Sequence, residues 1–177
     1  KTNGSVRLKI VGDGPLRNVV QAAASKDDRI VWLGQRPFEE VLSILGKAAA
    51  LVFPSVCYET FGRTIIESFS KGTPVIASRH GAMAELIEHE RTGWLFNVGD
   101  ADALASKLGG APAEMAQLAR MRAAARYEFE KKYTASANYE MLMRIYHEVI
   151  SSSNQRPALR VDPNGLPDIT NPSVDNS

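Results

Sequence analysis

The chain repeats one local pattern, in which a short apolar run is followed by a stretch with helical periodicity. Runs such as "LVF" (51–53) and "VIA" (75–77) are apolar at every position, without the alternation of a strand that has one face in water. Such runs are expected in a parallel sheet whose two faces are both covered by helices. The predicted strands span residues 6–12, 29–34, 50–55, 74–78 and 93–96, and the helices between them span residues 15–25, 38–49, 62–71 and 82–90.

Strands that alternate with helices in this way predict the α/β class, with right-handed crossovers joining parallel strands. We therefore expect a Rossmann-like open parallel sheet with helices on both faces. Beyond residue 99 the sequence is mainly helical: Asp100 can cap a helix over 101–108, and "GGAP" (109–112) is expected to break it.

Two further helices are predicted over 113–132 and 135–151, with Pro112 in the first turn of the former. Residues 152–177 hold four of the nine prolines and few large apolar side chains, which is typical of a flexible tail or linker. The predicted domain therefore covers residues 1–151.

Charge and cysteine content restrict the classes of function. The 21 basic and 20 acidic side chains leave a net charge of +1, which gives no electrostatic basis for binding nucleic acid. Cys57 is the single cysteine, so no internal disulfide can form and a reducing, cytoplasmic setting is expected. No apolar run is long enough for a transmembrane segment. Because a strand begins almost directly after Lys1, we expect the chain to be part of a longer protein.

Ligands of an open parallel sheet bind beyond the carboxyl ends of its strands. The longest turn at that edge is "PSVCYETFGRT" (54–64), and long loops of this kind often carry function. Gly62 stands where the next helix begins and would let a ligand approach the backbone closely. The free N–H groups of Gly62, Arg63 and Thr64 would then form an anion site.

Two carboxylates flank this anion site, Glu59 before the turn and Glu67 one helical turn beyond Arg63. An anion between two hydroxyl-seeking groups describes a diphosphate between a sugar and a ribose, and so predicts a nucleotide-sugar. Spacing alone is not evidence, since Glu140 and Glu148 have the same separation in a solvated helix. On the residues alone, Glu59 can equally be a polar turn residue, and Arg63 with Glu67 an i,i+4 surface pair.

Residues 52–96 resemble the signature region of the retaining glycosyltransferases of family 4, in the large GT-B superfamily. The shared features are E-x-F-G-x-x-x-x-E at 59–67, the strand G-x-P-V-I-A-S that follows, and a later T-G-x-L-F. "IVGDGPL" (10–16) and "VWLGQRP" (31–37) resemble the two earlier donor-site loops of that family. The resemblance covers residues 6–109 and implies the C-terminal, donor-binding half of a GT-B fold.

This resemblance implies a role for each matching position. Glu59 is the candidate catalytic residue and would hydrogen-bond hydroxyl groups of the donor sugar, while Glu67 would accept hydrogen bonds from the ribose. Backbone groups of the turn would line the sugar and then the diphosphate; in chain order they belong to Thr60, Phe61, Gly62, Arg63 and Thr64.

Three more donor-site residues follow from the two earlier loops. Arg36 would lie against the base, and Gly12 and Gly14 would shape the floor of the cleft. The resemblance implies no cofactor beyond the nucleotide-diphosphate-sugar itself, and no metal, because helix N-termini and basic side chains neutralise the diphosphate.

The sequence also departs from the family pattern. An Arg and a Lys that usually contact the diphosphate belong to a strand–helix unit that we do not find ahead of the first predicted strand. Cys57 stands where many relatives carry an aromatic residue. We therefore expect this piece alone to be inactive. In the parent, a missing N-terminal domain would bind the acceptor (a glycan, a lipid or a small molecule) and could contact the inner face of the membrane peripherally.

Two alternatives to a hexosyltransferase-type enzyme stay open at this point. A nucleotide-sugar epimerase of GT-B-like shape would carry its acid and base in the missing half, and a non-catalytic nucleotide-sugar-binding module would explain the missing basic pair. A dinucleotide site is disfavoured, because Arg17 stands where G-x-G-x-x-G requires its third glycine. We expect His80 to be a turn residue without a role and Cys57 to be packed, and no His or Cys spacing predicts zinc.

Overall fold

The computed structural model describes residues 6–110 and 115–153. Strands and helices alternate there in the predicted order. The strands are β1 (Leu8–Val11), β2 (Ile30–Gly34), β3 (Leu51–Phe53), β4 (Val75–Ser78) and β5 (Gly93–Phe96). The helices are α1 (Arg17–Ala24), α2 (Phe38–Lys47), α3 (Arg63–Ser70), α4 (Gly81–Leu86), α5 (Ala101–Gly110), α6 (Met115–Lys132) and α7 (Ala135–Ser153).

All of the strand pairs in these elements are parallel, which confirms the predicted α/β class. The strands form two separate hydrogen-bonded sheets, which are called ladders below. One pairs β1 with β2, and the other has the strand order β3–β4–β5. Along the first ladder the register shifts between Ile10 and Val11, so that Val11 pairs with Gly34 and the two strands end together.

β4 and β5 are buried along their whole length because helices cover both of their faces. Val75 and Ala77 belong to an apolar cluster with residues of α3, α4 and α6, whereas Ile76 belongs to a second cluster with residues of α5 and α6. β5 follows the same rule, with Leu95 in the first cluster and Trp94 in the second. Coverage of both faces is the reason that these strands lack apolar–polar alternation.

α3, which begins at the candidate site, is held firmly at its other end. The buried Ser68 hydroxyl donates to the Thr73 carbonyl oxygen at 2.9 Å, and the Thr73 hydroxyl donates to the Leu45 carbonyl oxygen at 2.7 Å. The guanidinium of Arg126, on α6, donates to the carbonyl oxygen of Ser70. These contacts give α3 a fixed position relative to α2 and α6.

α4 is shorter than predicted. It ends at Leu86 rather than near residue 90, because Ile87 takes an extended conformation with φ −103° and ψ 116°. A turn follows in which the Glu88 N–H donates to the Thr92 hydroxyl oxygen at 3.0 Å, and β5 begins directly after it. This side-chain acceptor competes with continuation of the helix, and propensity alone does not reveal it.

α5 is longer than predicted. Asp100 caps it as expected, since its carboxylate accepts from the Ala103 N–H at 2.8 Å, but the helix continues through Gly109 to Gly110. Glycine costs only about 1 kcal/mol in a helix interior, and this pair lies at the helix end. The prediction for Pro112 falls outside the described residues.

The chain divides into two compact units, Lys1–Thr134 and Ala135–Ser177. The first unit contains both ladders with α1 to α6, and the second begins with α7. The predicted boundary after residue 151 stays a prediction, since nearly all of the proposed tail lies outside the described residues. Within the described ranges, no helix combines the length and apolar character needed to cross a membrane.

Candidate functional site

The loop from residue 54 to residue 62 joins β3 to α3 at the carboxyl edge of the β3–β4–β5 ladder. Phe53, the last residue of β3, pairs with Ala77 of β4, so this loop lies next to the turn that follows β4. The carboxylate of Glu59 is half-buried in the loop and has no hydrogen-bond or ion-pair partner among the described residues. Thr60 and Phe61, the next two residues, are exposed.

Gly62 turns the chain into α3 and cannot readily be replaced. Its φ of 71° and ψ of 44° are left-handed, and a Cβ placed on it would lie 2.9 Å from Cδ1 of Leu86 and 3.3 Å from Cδ1 of Ile65. The left-handed backbone conformation therefore favours glycine, and a Cβ there would in addition displace the ends of the Leu86 and Ile65 side chains. The buried Gly62 marks the point where the helix N-terminus faces the loop.

The first backbone groups of α3 are available to a ligand. The carbonyl oxygen of Gly62 accepts from the N–H groups of Ile65 and Ile66, at 2.9 and 3.4 Å. By contrast, the N–H groups of Gly62, Arg63 and Thr64 donate to no protein atom in the described part of the chain. Such N–H groups and the positive end of the helix dipole favour an anion.

Glu67 lies one turn into α3, with its side chain 22% exposed. Its Oε1 is 3.8 Å from a guanidinium nitrogen of Arg63, so the surface pair considered from the sequence does form. Since the Arg63 side chain is 82% exposed, the pair is weak and can open without disturbing packing. The Glu67 carboxylate therefore remains accessible to an incoming hydroxyl group.

Gly12 stands at the carboxyl end of β1, in the other ladder. Its N–H donates to the Gly34 carbonyl oxygen at 2.8 Å, and its own carbonyl oxygen accepts from the Trp32 indole N–H at 3.0 Å. The φ of Gly12 is 123°, which a residue with a side chain rarely adopts. These contacts tie the "GDG" turn to β2.

Gly14 and Arg36 lie at the same edge of that ladder. The Gly14 N–H donates to the carboxylate of Asp13 at 2.8 Å, and the Arg17 N–H donates to the Gly14 carbonyl oxygen at 3.0 Å, which closes the turn before α1. Arg36 follows β2 and lies 3.7 Å from the Glu40 carboxylate, and the two side chains are 38% and 46% exposed. The structure thus places the predicted residues in two groups, each at the carboxyl edge of its own ladder.

His80 was expected to lack a role, but the structure gives it two contacts with the Glu59 loop. Its Nε2 lies 2.9 Å from the Ser55 carbonyl oxygen, and its ring meets the ring of Tyr58 edge-on, with centroids 5.0 Å apart. The only sequence signal was its position at the carboxyl end of β4, adjacent to β3. The expectation for Cys57 was wrong, because its side chain is exposed in this loop.

A shallow depression follows the exposed surface of α7, in the second unit, and is lined by residues that include Glu140 and Glu148. Within the described ranges, no group of three or more His, Cys, Asp or Glu side chains is arranged to hold a metal ion.

Comparison with known proteins gives the family. A profile described as Glycosyl transferases group 1 matches residues 1–111, more than half of the chain. The amylovoran biosynthesis glycosyltransferase AmsK of Erwinia amylovora is 30% identical over 150 residues, which cover 80% of this chain and 37% of that protein. The phosphatidyl-myo-inositol mannosyltransferase of Mycobacterium leprae is 31% identical over 156 residues, 85% of this chain and 40% of that protein.

A solved structure supports the fold. Anabaena Alr3699/HepE, in complex with UDP-glucose, has a TM-score of 0.71 and 22% identity, over 82% of this chain and 42% of that one. The present chain thus spans well under half the length of the proteins that it matches. The family profile and the two curated relatives agree with each other, and the chain belongs to the family Glycosyl transferases group 1.

Proposed function

We propose that this chain is the donor-binding domain of a retaining family 4 glycosyltransferase, which moves a sugar from a nucleotide-diphosphate-sugar to an acceptor hydroxyl group. The observation that carries the proposal is the start of α3, where three N–H groups without an acceptor in the described part of the chain lie between Glu59 and Glu67 in the sequence. Family membership and the UDP-glucose bound by the structurally similar Anabaena protein support it.

The diphosphate would bind at the N-terminus of α3. The N–H groups of Gly62, Arg63 and Thr64 would donate to its oxygens, and the helix dipole would stabilise its charge. The same groups would stabilise the further negative charge that develops on the leaving diphosphate during transfer. Glycine at position 62 allows the phosphate to approach the backbone closely.

The two carboxylates would bind the two ends of the donor. Glu67, fixed on α3, would accept from the ribose hydroxyls after its weak pair with Arg63 opens. Glu59 would accept from hydroxyls of the transferred sugar and is the residue in direct contact with the reacting unit. Its carboxylate has no protein partner among the described residues, so a sugar hydroxyl would not have to displace one.

In the reaction, the bond between the anomeric carbon and the diphosphate oxygen would break while the acceptor oxygen bonds to the same carbon on the same face. The proton of the acceptor hydroxyl would pass to the leaving diphosphate, and the anomeric configuration would be retained. The acceptor would be held by another domain of a cytoplasmic parent enzyme. Since proximity of the two substrates supplies much of the acceleration, we expect this chain alone to transfer no sugar.

Titration calorimetry of the 177-residue chain with UDP and with UDP-glucose tests the proposal. Glu67→Ala should weaken both ligands, because both contain the ribose. Glu59→Ala should weaken UDP-glucose only. A charge-assisted hydrogen bond contributes about 1.5–3 kcal/mol to binding, so each affected Kd should rise by roughly tenfold or more.

Glu140→Ala and Glu148→Ala are the matched controls, because they have the same separation in another helix. Neither should change either affinity. A wild-type chain that binds neither ligand would overturn the proposal, and an equal loss of both ligands in Glu59→Ala would overturn the assignment of Glu59 to the sugar. Loss of binding in a folded Glu140 or Glu148 variant would mean that the site lies elsewhere.

A further inference from the structure

The side chain of His80, in the turn after β4, contacts the Glu59 loop. Its Nε2 lies 2.9 Å from the Ser55 carbonyl oxygen, near the start of the loop. Its ring also meets the ring of Tyr58 at an interplanar angle of 88°. Tyr58 directly precedes Glu59, so His80 contacts the loop on the N-terminal side of the carboxylate.

The hydrogen of this contact has a defined location. A carbonyl oxygen only accepts, so Nε2 of His80 carries the hydrogen and donates it to Ser55. The neutral tautomer with its hydrogen on Nε2 and the protonated ring both satisfy this requirement. The contact therefore does not depend on which of these two forms is present.

Gly81, the first residue of α4, packs against the same part of the loop. Gly81 has a φ of 49°, and a Cβ on it would lie 3.0 Å from Cδ1 of Tyr58 and 3.8 Å from the Glu59 carbonyl oxygen. The backbone of Glu59 is thus close to the β4–α4 turn, while its carboxylate has no partner among the described residues. Since no side-chain contact in the described part of the chain holds that carboxylate, the region it can reach depends on where the loop backbone places residue 59.

We propose that His80 is a positioning residue for the sugar end of the donor site. It holds the loop so that Glu59 faces the transferred sugar, an inference that rests on the proposed function. The diphosphate and ribose end does not need this contact. Apart from Gly62, its groups lie on α3, which is anchored by the completely buried Ile65 and Phe69. Loss of the His80 contact should therefore affect the sugar selectively.

Two substitutions distinguish the effect of the His80 hydrogen bond to Ser55 from the effect of the ring contact with Tyr58. His80→Phe keeps a ring against Tyr58 but removes the donor to Ser55. His80→Gln provides an amide N–H at a similar reach and should restore the contact in part. His147→Phe, the same change at an exposed position of α7, is the matched control, and thermal unfolding identifies any variant that fails to fold.

The first measurement is affinity for UDP and for UDP-glucose. His80→Phe should weaken UDP-glucose about three- to tenfold, the range expected for one lost neutral hydrogen bond, and leave the Kd for UDP unchanged. His80→Gln should recover most of the loss, and His147→Phe should change neither Kd. Equal weakening of both ligands by His80→Phe would contradict selective positioning.

The second measurement needs no ligand. Amide hydrogen exchange over residues 55–61 should be faster in His80→Phe than in the wild type or His80→Gln, whereas exchange in α3 should be unaltered. If the wild type binds UDP-glucose while His80→Phe changes neither binding nor exchange, only the inference about His80 fails. If the wild type binds neither ligand, the proposed function fails, and faster loop exchange would then show a purely structural role for His80.

Discussion

The two ladders are built from the same strand–helix unit, yet they differ in burial. β4 and β5 are buried along their whole length, and α3 contributes Ile65 and Phe69 to their core. β1 and β2 are only partly buried, Leu8 is 40% exposed, and α1 has no fully buried residue. The repeated local pattern therefore specifies the elements but not how deeply each is packed.

The difference bears on the proposed function. The part of the candidate site that carries Glu59, Glu67 and the helix N-terminus belongs to the well-packed ladder, whereas Gly12, Gly14 and Arg36 belong to the more exposed one. Rigid packing favours precise placement of groups that contact a reacting sugar and diphosphate. The loop residues of the exposed ladder depend instead on local contacts, such as the indole N–H of Trp32 on Gly12.

The largest effect on stability is expected from removing a side chain of α3 that packs in the core on the buried ladder. Phe69→Ala should lower the free energy of unfolding by about 3–5 kcal/mol, since it leaves a cavity in a core with no solvent access. Phe38→Ala, at the start of α2 after β2, removes a side chain that is 54% exposed and should cost less than about 1 kcal/mol. Urea unfolding measures both, and equal losses would remove the distinction between the ladders.

A glycine pair gives a second comparison. A Cβ on Gly93 would lie 2.0 Å from the Val75 carbonyl oxygen, so Gly93→Ala should force β4 and β5 apart and cost about 1–3 kcal/mol or more. A Cβ on Gly14 would meet nothing within 4 Å, so Gly14→Ala should leave stability almost unchanged. The same unfolding experiment applies. If Gly93→Ala left the free energy of unfolding almost unchanged, β4 and β5 would be able to move apart at little cost.

A third comparison uses the buried carboxylate next to the same ladder. Glu128 of α6 is 7% exposed and forms ion pairs with Arg91 and with Lys132, the latter at 2.6 Å. Burial by itself raises the pKa of Glu128, but hydrogen bonds from Lys132 and Arg91 outweigh it and hold the pKa below its ordinary value of 4.5. Its folded pKa is therefore lower than its unfolded one.

A lowered folded pKa means that the stabilisation is present above pH 4.5 and is lost as the pH falls through the folded value. Glu128→Gln should lower the free energy of unfolding at pH 7 by roughly 1–2 kcal/mol, a value kept small because both cations are half in solvent. The free energy of unfolding of this variant should also fall less steeply than that of the wild type as the pH is lowered. Glu130→Gln, whose side chain pairs with Arg126 in solvent, is the control on the same helix. Identical acid profiles for the two variants would contradict the prediction.

The smallest effect concerns the exposed ladder. Before β2, the guanidinium of Arg29 donates to both carboxylate oxygens of Asp27, at 2.9 and 2.7 Å, and lowers the pKa of Asp27 from 3.8 to about 2. Carboxyl-carbon NMR should therefore show Asp27 titrating near pH 2, and Arg29→Gln should return it toward its ordinary value. Titration of the wild-type carboxyl near 3.8 would show that this pair does not persist in solution.

Much of the fold followed from the sequence because its signals are local or strongly apolar. The runs at β4 and β5, the Asp100 cap and the order of strands and helices required only burial and hydrogen-bonding rules. The early end of α4 required knowledge of the Thr92 side chain as an acceptor. The continuation of α5 through its two glycines showed that a breaking signal near a helix end is weak.

For the candidate site, the sequence placed Glu59 and Glu67 on either side of a helix start, because the end of the preceding strand and the periodicity of the following helix are both local signals. It did not reveal the contact of His80, whose partner is a backbone carbonyl 25 positions earlier in the chain. Contacts with a main-chain atom leave no residue type at the partner position to recognise. The exposure of Cys57 was missed for a related reason, since a small side chain in a loop carries no periodic signal.

The sequence by itself determined the parallel α/β class, the order of the elements and the motif that surrounds Gly62, since each depends on neighbours within a few residues. Only the tertiary structure decided that the strands form two ladders of unequal burial, that Leu86 closes the space beside Gly62, and that His80 attaches the Glu59 loop to the turn after β4. These features arise from contacts between segments far apart in the chain. Their free energies depend on distances and packing that no local pattern encodes.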